Sequence, residues 1–313
     1  MPKKTTPEAT SRTILVTGAS GMIGSGLVNA LIDRGDKVIG LSRNPNRASK
    51  AQPTAEWHAW QPTMERPPEK ALEGTDAVIS LAGEPINQRW NDDVKDRIAR
   101  TRIKATKNLA DTIATVDNPP KTFISGSAIG FYGDRGDELL YEDAAPGDDF
   151  LADVVVKWEA AANSIGDGVR VATIRAGHVL DTRGGLLAEL LTPFKLGVGG
   201  PIAGGDQYMS WIHRWDEIGI LLWALDNEAA TGPINATSPN PVTNKEFSKT
   251  LGKAVGRPAI MPLPGFAMKA IRGPEFGQVL TEGQRVYPRK AIESGYEFKQ
   301  PELAGALANL LRM

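Results

Sequence analysis

The sequence predicts an α/β fold: a doubly wound parallel sheet with a smaller C-terminal α/β subdomain. Three observations predict it. Short apolar runs alternate with longer helical patterns through the first half. A glycine-rich turn joins the first apolar run to the first helical pattern. After Arg175 the alternation gives way to clustered glycines and prolines. Strands alternating with helices imply βαβ units, and those imply a parallel sheet covered on both faces.

Residues 1–12 are polar and lack an apolar core, so they read as a disordered leader and not as a secretory signal. Thr13–Thr17 reads as a buried strand. Met22–Arg34 follows as a helix, with Ile23, Leu27, Ala30 and Leu31 on one face and Gly35 as its stop. Lys37–Leu41 is a second strand and Ala55–Trp60 a weaker third. Ala77–Leu81 is a fourth, after the turn Gly74-Thr75-Asp76. A long helix covers about Asp92–Thr115. Thr122–Ser125 is a fifth strand, Asp153–Ile165 a helix and Val169–Ile174 a sixth strand. Beyond it, Gly197, Gly199, Gly200, Gly204 and Gly205 mark loop-rich ground. Ser210–His213 reads as a short strand and Asp216–Asp226 as an apolar helix. From Gly232 onward, short helices are expected between proline turns. This divides the chain into a dinucleotide-binding domain at 13–180, with returning segments at about 205–235, and substrate-side loops with a subdomain at 181–313.

Composition removes several functions. Lys plus Arg is 36 and Asp plus Glu 37, a net charge of -1, which offers no positive excess for nucleic acid or an anionic membrane. No apolar run approaches the ~20 residues that span a bilayer. There are no cysteines, so disulfides, thiolate metal sites and a cysteine nucleophile are excluded. His58, His178 and His213 are too dispersed for a zinc motif, so no metal is expected. The expected compartment is the cytoplasm.

The strongest motif is Thr17-Gly18-Ala19-Ser20-Gly21-Met22-Ile23-Gly24, between the first strand and the first helix. A diphosphate approaches backbone N–H groups there only if no Cβ intervenes. The helix N-terminus adds free donors and a favourable dipole. The spacing is G-x-x-G-x-x-G, in the strand–turn–helix context of a Rossmann-type sheet. Ser42-Arg43 ends the second strand, where the adenosine ribose is expected. An acid there binds the ribose hydroxyls, whereas an arginine pairs with a 2′-phosphate. Arg43, with Arg47 nearby, therefore selects NADP (NADPH) over NAD, against the plainer reading of a solvated loop residue.

The glycine pattern resembles the extended short-chain dehydrogenase/reductase superfamily, as does Ser80-Leu81-Ala82-Gly83-Glu84-Pro85-Ile86. Further matches are Ser125-Gly126-Ser127-Ala128-Ile129-Gly130-Phe131-Tyr132-Gly133, Phe150-Leu151 with Trp158-Glu159, Arg175-Ala176-Gly177-His178-Val179-Leu180, Ser210-Trp211-Ile212-His213 and residues 234–247. Together these resemble the bacterial epimerase-like family of atypical reductases, whose members are often labelled sugar-nucleotide epimerase or cell-division inhibitor. The resemblance covers about residues 13–311. It implies a cofactor site that includes Thr17, Gly18, Ser20, Gly21, Met22, Ile23, Gly24, Ser42, Arg43, Leu81, Ala82 and Gly83.

The resemblance also implies a catalytic Ser, Tyr and Lys, and Ser127 matches the serine. The Tyr-x-x-x-Lys pair does not match: aligning Glu159 puts Leu151 and Val155 at those positions. Lys157 lies about 200° around the helix from the lysine position, and with Asp153 it reads as a solvated i, i+4 pair. Tyr132 and His213 are the candidate replacements for the missing acid/base, each weighed against a packing or structural role. Arg102 stands where relatives often carry Asn, and reads either as a contact to the cofactor or an anionic substrate, or as a surface charge. Glu84, Arg175 and His178 are expected on the substrate side. Two functions remain: an NADP-dependent oxidoreductase or epimerase-like enzyme on a small polar substrate, or a non-catalytic NADPH sensor or scaffold. A Ser127–His213 hydrolase lacks the G-x-S-x-G elbow. A homodimer through the helices at about 92–115 and 153–165 is expected if the chain follows its relatives.

Overall fold

A computed structural model describes residues 11–312. Residues 1–10 of the expected leader lie outside the described residues. Ser11 and Arg12 correct its boundary. Ser11 Oγ donates to the Gly35 carbonyl at 2.8 Å, and Arg12 pairs with Asp36 and Asp226.

The first half follows the expected alternation. It runs β1 (Thr13–Thr17), α1 (Met22–Asp33), β2 (Lys37–Ser42), α2 (Pro45–Ala51), β3 (Glu56–Ala59) and β4 (Ala77–Ser80). Next come α3 (Asp92–Ile113), β5 (Thr122–Ala128), β6 (Leu139–Leu140), α4 (Phe150–Asn163) and β7 (Arg170–Ala176). The second half holds β8 (His178–Leu180), α5 (Gly185–Lys195), β9 (Tyr208–Met209), β10 (Trp211–His213), α6 (Arg214–Asp226) and β11 (Gly232–Ala236). Then follow β12 (Val242–Thr243), α7 (Asn244–Ala254), α8 (Gly265–Arg272), α9 (Pro274–Val279), β13 (Arg285–Val286), α10 (Arg289–Glu293) and α11 (Leu303–Arg312).

The main sheet has the order β11-β7-β5-β4-β1-β2-β3, and every pair in it is parallel. The winding reverses between β1 and β4, so the carboxyl ends of those strands border the crevice where ligands of such sheets bind. The register Thr17↔Leu41 and Thr17↔Ser80 brings three strand ends level beside it. Successive residues of β1 serve opposite faces. Ile14 and Val16 join a core with Leu27, Leu31, Ile218 and Leu221, while Leu15 joins one with Leu109, Ile113 and Phe123. That two-sided burial is why the strands read as continuous apolar runs. A third cluster, around Trp211, Phe247 and Leu307, gathers α5, α7 and α11.

Three elements correct the sequence reading. Gly232–Ala236 is the seventh strand of the sheet and not part of a run of short helices. Its proline hides it, yet Pro233 is tolerated because β11 is an edge strand. The loop after Ser42 becomes α2, because the Asn44 side chain accepts from the Arg47 N–H at 3.0 Å and Pro45 takes the first helical position. Ahead of the Gly197–Gly205 loops, where the sequence reading placed no element, α5 forms with its apolar face on Leu187, Leu191 and Phe194.

Candidate functional site

The turn after β1 is shaped by two glycines. Gly18 has φ +67°, and a Cβ there would lie 2.7 Å from the Leu81 backbone. At Gly24 a Cβ would come within 2.2 Å of the Gly18 carbonyl oxygen, so α1 presses directly on the turn. Thr17 is fully buried. Its hydroxyl meets Ser80 Oγ at 3.1 Å and accepts from the Leu81 and Ala82 N–H groups at 3.2 and 3.3 Å. The expectation of a direct cofactor contact is corrected: Thr17 works from behind, fixing the Leu81–Ala82 backbone. Ser20 and Gly21 are exposed at the mouth, and Met22 and Ile23 are half-buried.

α1 begins without a side-chain cap and without an acid in its first turn. The N–H groups of Met22, Ile23 and Gly24 find no acceptor among the described residues. By contrast, Asn91, Asp149 and Thr243 cap α3, α4 and α7 with their own side chains. The start of α1 is thus a set of uncommitted donors at the positive end of a helix, which fits a diphosphate. At the end of β2, Ser42 Oγ accepts from the Asn44 N–H at 3.1 Å. Arg43 is exposed and forms no ion pair among the described residues.

Beyond β4, Leu81 and Ala82 are half-buried and Gly83 is exposed. Arg102 supports this backbone from below. It donates to the Glu84 carbonyl at 2.9 Å and to the Ile98 carbonyl at 3.2 Å, with its guanidinium 5.4 Å from the Trp158 ring. Burial, partly opposed by Glu84, pushes its pKa down to about 10. The surface-charge reading is corrected: Arg102 is a support for the Gly83–Glu84 turn. The Glu84 carboxylate accepts from Gln88 at 3.2 Å and lies 3.6 Å from Arg97.

The groups expected to move protons are already engaged. Ser127 Oγ donates to Glu159 Oε1 at 2.6 Å. Arg175 grips both oxygens of Glu159, at 2.8 and 2.9 Å, and donates to the Tyr132 hydroxyl at 3.0 Å. Tyr132 in turn donates to Asn235 Oδ1 at 2.6 Å. The Arg175 guanidinium also lies 3.5 Å from the Phe131 ring centre. Burial alone would lower the Arg175 pKa, but the Glu159 carboxylate and the Tyr132 hydroxyl hold it above its ordinary value. Burial raises that of Tyr132. Glu142 completes the cluster: its carbonyl accepts from Arg175 at 3.1 Å and its Oε1 from the Asn235 and Lys290 N–H groups.

Three expectations are corrected by this arrangement. Tyr132 is fully buried, so it is a strut and not a displaced phenol facing the cleft. Arg175 is buried in the same network and does not reach a substrate. His213 is also fully buried: Nδ1 accepts from the Trp215 N–H at 3.1 Å and Nε2 meets Asn309 at 3.1 Å. It caps α6, and burial lowers its pKa further. Leu151 and Val155 do occupy α4, and Lys157 pairs with Asp153 at 2.7 Å in solvent. A cavity of about 140 Å³ opens beside Leu151, between the start of α4 and α9, with Trp90 and Gln278 on its wall.

His178, expected on the substrate side, differs from the two candidate proton carriers Tyr132 and His213. It opens β8, with one residue between it and the end of β7, is half-buried, and its ring has no hydrogen-bond partner among the described residues. Burial pushes its pKa down to about 4, so the imidazole is neutral at pH 7. Sequence reasoning passed over Glu142, Asn235, Asp181 and Arg183. A polar Asn inside the apolar run before Thr237 was the available signal for Asn235; the Gly184-Gly185 pair opening a helix was the signal for the Asp181 turn. Among the described residues, no cluster of His or acidic groups is arranged to hold a metal, and no helix is long and apolar enough to cross a membrane.

Residues 14–236 match the NAD dependent epimerase/dehydratase family, and residues 263–310 match a domain family of unknown function, DUF1731. The human epimerase family protein SDR39U1 is 36% identical over 302 residues, covering 95% of this chain and 99% of its own. The epimerase family protein YfhF of Bacillus subtilis is 36% identical over 301 residues, covering 95% and 97%. A crystal structure of human SDR39U1 with NADPH superposes with a TM-score of 0.87 at 36% identity, covering 96% of this chain and 99% of that one. The chain belongs to the NAD dependent epimerase/dehydratase family.

Proposed function

We propose that the chain binds NADPH and uses it in an oxidoreductase or epimerase-like reaction on a small polar substrate, without a Tyr-Lys pair. The observation that carries the cofactor assignment is the pairing of uncapped N–H donors at Met22–Gly24 with an unpaired Arg43 beyond β2. The related human protein crystallised with NADPH supports it. In this reading the Gly18–Gly24 backbone holds the diphosphate and Arg43 with Ser42 the 2′-phosphate. Leu81, Ala82 and Gly83 line the slot toward the nicotinamide. When bound, the nicotinamide would supply the hydride in a reduction, or accept it from the substrate and return it in an epimerisation. Neutral His178 offers a ring N–H or lone pair to a substrate oxygen, much as a neutral imidazole polarises a carbonyl in other enzymes.

A second reading, a non-catalytic NADPH sensor or scaffold, is favoured by one specific observation. The Ser127 proton is committed to Glu159, and the neighbouring α4 positions hold Leu151 and Val155. One experiment separates the two. The purified protein is titrated with NADPH and NADH by fluorescence, then mixed with NADPH and small carbonyl compounds, and separately with NADP+ and a panel of nucleoside-diphosphate sugars. NADPH is expected to bind more tightly than NADH. Equal affinities remove the NADP assignment. Consumption of NADPH or conversion of a sugar supports the enzyme; tight binding with no conversion supports the sensor.

A further inference from the structure

The turn between β8 and α5 lies directly on the start of α1. A Cβ at Gly184 would stand 3.3 Å from Met22 Sδ, and one at Gly185 3.7 Å from Met22 Cε. An isolated bridge between Asp181 and Gly184 closes the turn. At its base Asp181 is fully buried. Its carboxylate accepts from the Arg183 backbone N–H at 2.9 Å, from Arg183 Nη2 at 2.8 Å and from Arg214 Nη1 at 3.2 Å. Burial on its own would raise the Asp181 pKa; these donors outweigh it and hold the group below its ordinary value.

Two guanidinium groups thus face one carboxylate. Arg183 is the cation on its open side. Its side chain is 53% exposed, its Nη2 also reaches the Met22 carbonyl at 3.4 Å, and its Nη1 donates to nothing among the described residues. Met22 is the first residue of α1, whose open N–H groups form the candidate diphosphate cradle. A buried acid here would repel an anion if it were unpaired; paired with two arginines it instead orients one of them.

We propose that Arg183 is a ligand of the dinucleotide diphosphate, held in place by Asp181 and adding a side-chain cation to a cradle otherwise made of backbone N–H groups. The inference rests on the NADPH reading above. Arginine suits the task because its fork can keep Asp181 on one edge and offer the other edge to a phosphate oxygen. The turn and α5 then form a roof over the cofactor's middle, on the opposite side from the β-strand ends.

The test is a titration of the wild type, Arg183→Ala and Arg183→Lys with NADPH and with adenosine 2′-monophosphate, which lacks the diphosphate. Arg183→Ala is expected to weaken NADPH by about tenfold, as for a lost charge-assisted hydrogen bond. Its affinity for adenosine 2′-monophosphate stays unchanged, which also shows that the adenosine end remains folded. Arg183→Lys recovers part of the loss. NADPH affinity in Arg183→Ala equal to that of the wild type overturns the assignment of Arg183 and leaves the NADPH reading standing. An equal loss for both ligands also overturns it, because the effect is then a general loosening. Failure of the wild type to bind NADPH sinks the underlying reading and this inference with it.

Discussion

Two stretches of one sheet edge are built on opposite plans. Where β1 turns into α1, donors are left open among the described residues: three backbone N–H groups without acceptors and an unpaired Arg43 one strand away. Where β5 and β7 end, polar groups are consumed by one another. Ser127, Glu159, Arg175, Tyr132 and Asn235 form one buried chain of hydrogen bonds. The same residue types that would serve catalysis if they faced a ligand here weld β5, α4, β7 and β11 together. The comparison teaches that a kept motif does not locate a kept chemistry. The cofactor end reads as a receptor, and the Ser127 end reads as a rivet.

The largest predicted effect tests the rivet. Glu159→Ala leaves the Arg175 guanidinium buried without its carboxylate, which is expected to cost about 3–5 kcal/mol of stability. Ser127→Ala removes a single hydrogen bond and is expected to cost about 1 kcal/mol. Denaturant unfolding of both variants measures the two. If Glu159→Ala unfolds with the wild type, the network is not structural and the contrast between the two ends collapses.

A buried acid elsewhere sharpens the point. Glu217, in the first turn of α6, is buried, and its Oε2 has no hydrogen-bond partner among the described residues. Burial raises its pKa from 4.5 to about 8. Between these values the unfolded chain releases a proton that the folded chain keeps, so stability falls as pH rises through that window. The slope is at most about 1.4 kcal/mol per pH unit for one proton. Glu217→Gln removes the titration and is expected to flatten the profile. Urea unfolding at several pH values from 5 to 8 checks it; an identical slope in both proteins would show that Glu217 is ionised when folded.

The sequence carried the two ends unequally. The cradle was legible because it depends on local spacing: glycines between an apolar run and a helix define both a turn and a binding surface. The α4 departure was legible for the same reason, since Leu151 and Val155 are placed by their distance from Glu159. The fate of Tyr132, Arg175 and His213 was not. Their partners Asn235, Glu159 and Asn309 come from distant segments, and only folding decides whether a polar side chain meets solvent or another side chain. β11 was missed because its proline and asparagine mask a strand whose burial comes from the sheet edge and the elements covering it.

At the receptor end, Gly21→Val separates folding from binding. A Cβ at Gly21 meets only the Gly18 carbonyl oxygen, at 3.1 Å, so a small local shift accommodates it. The branched side chain nevertheless stands at the exposed mouth, where an anion must approach the Met22 and Ile23 N–H groups. NADPH binding is expected to fall by about a hundredfold, with little change in thermal unfolding. A variant that binds as the wild type does would place the diphosphate elsewhere.

The smallest effect decides which nucleotide the receptor end prefers. Arg43→Ala is expected to reduce the preference for NADPH over NADH by about tenfold, one charge-assisted hydrogen bond to a phosphate. The loss is confined to NADPH, because NADH presents no 2′-phosphate, and it shrinks as salt screens an exposed guanidinium. Arg47, exposed on α2 one turn further on, gives the variant a second cation nearby and keeps the loss partial. Paired titrations at low and high ionic strength read both features. An equal loss for NADPH and NADH would move Arg43 from the 2′-phosphate to a part common to both nucleotides, and selectivity would then have to arise from the α2 turn itself.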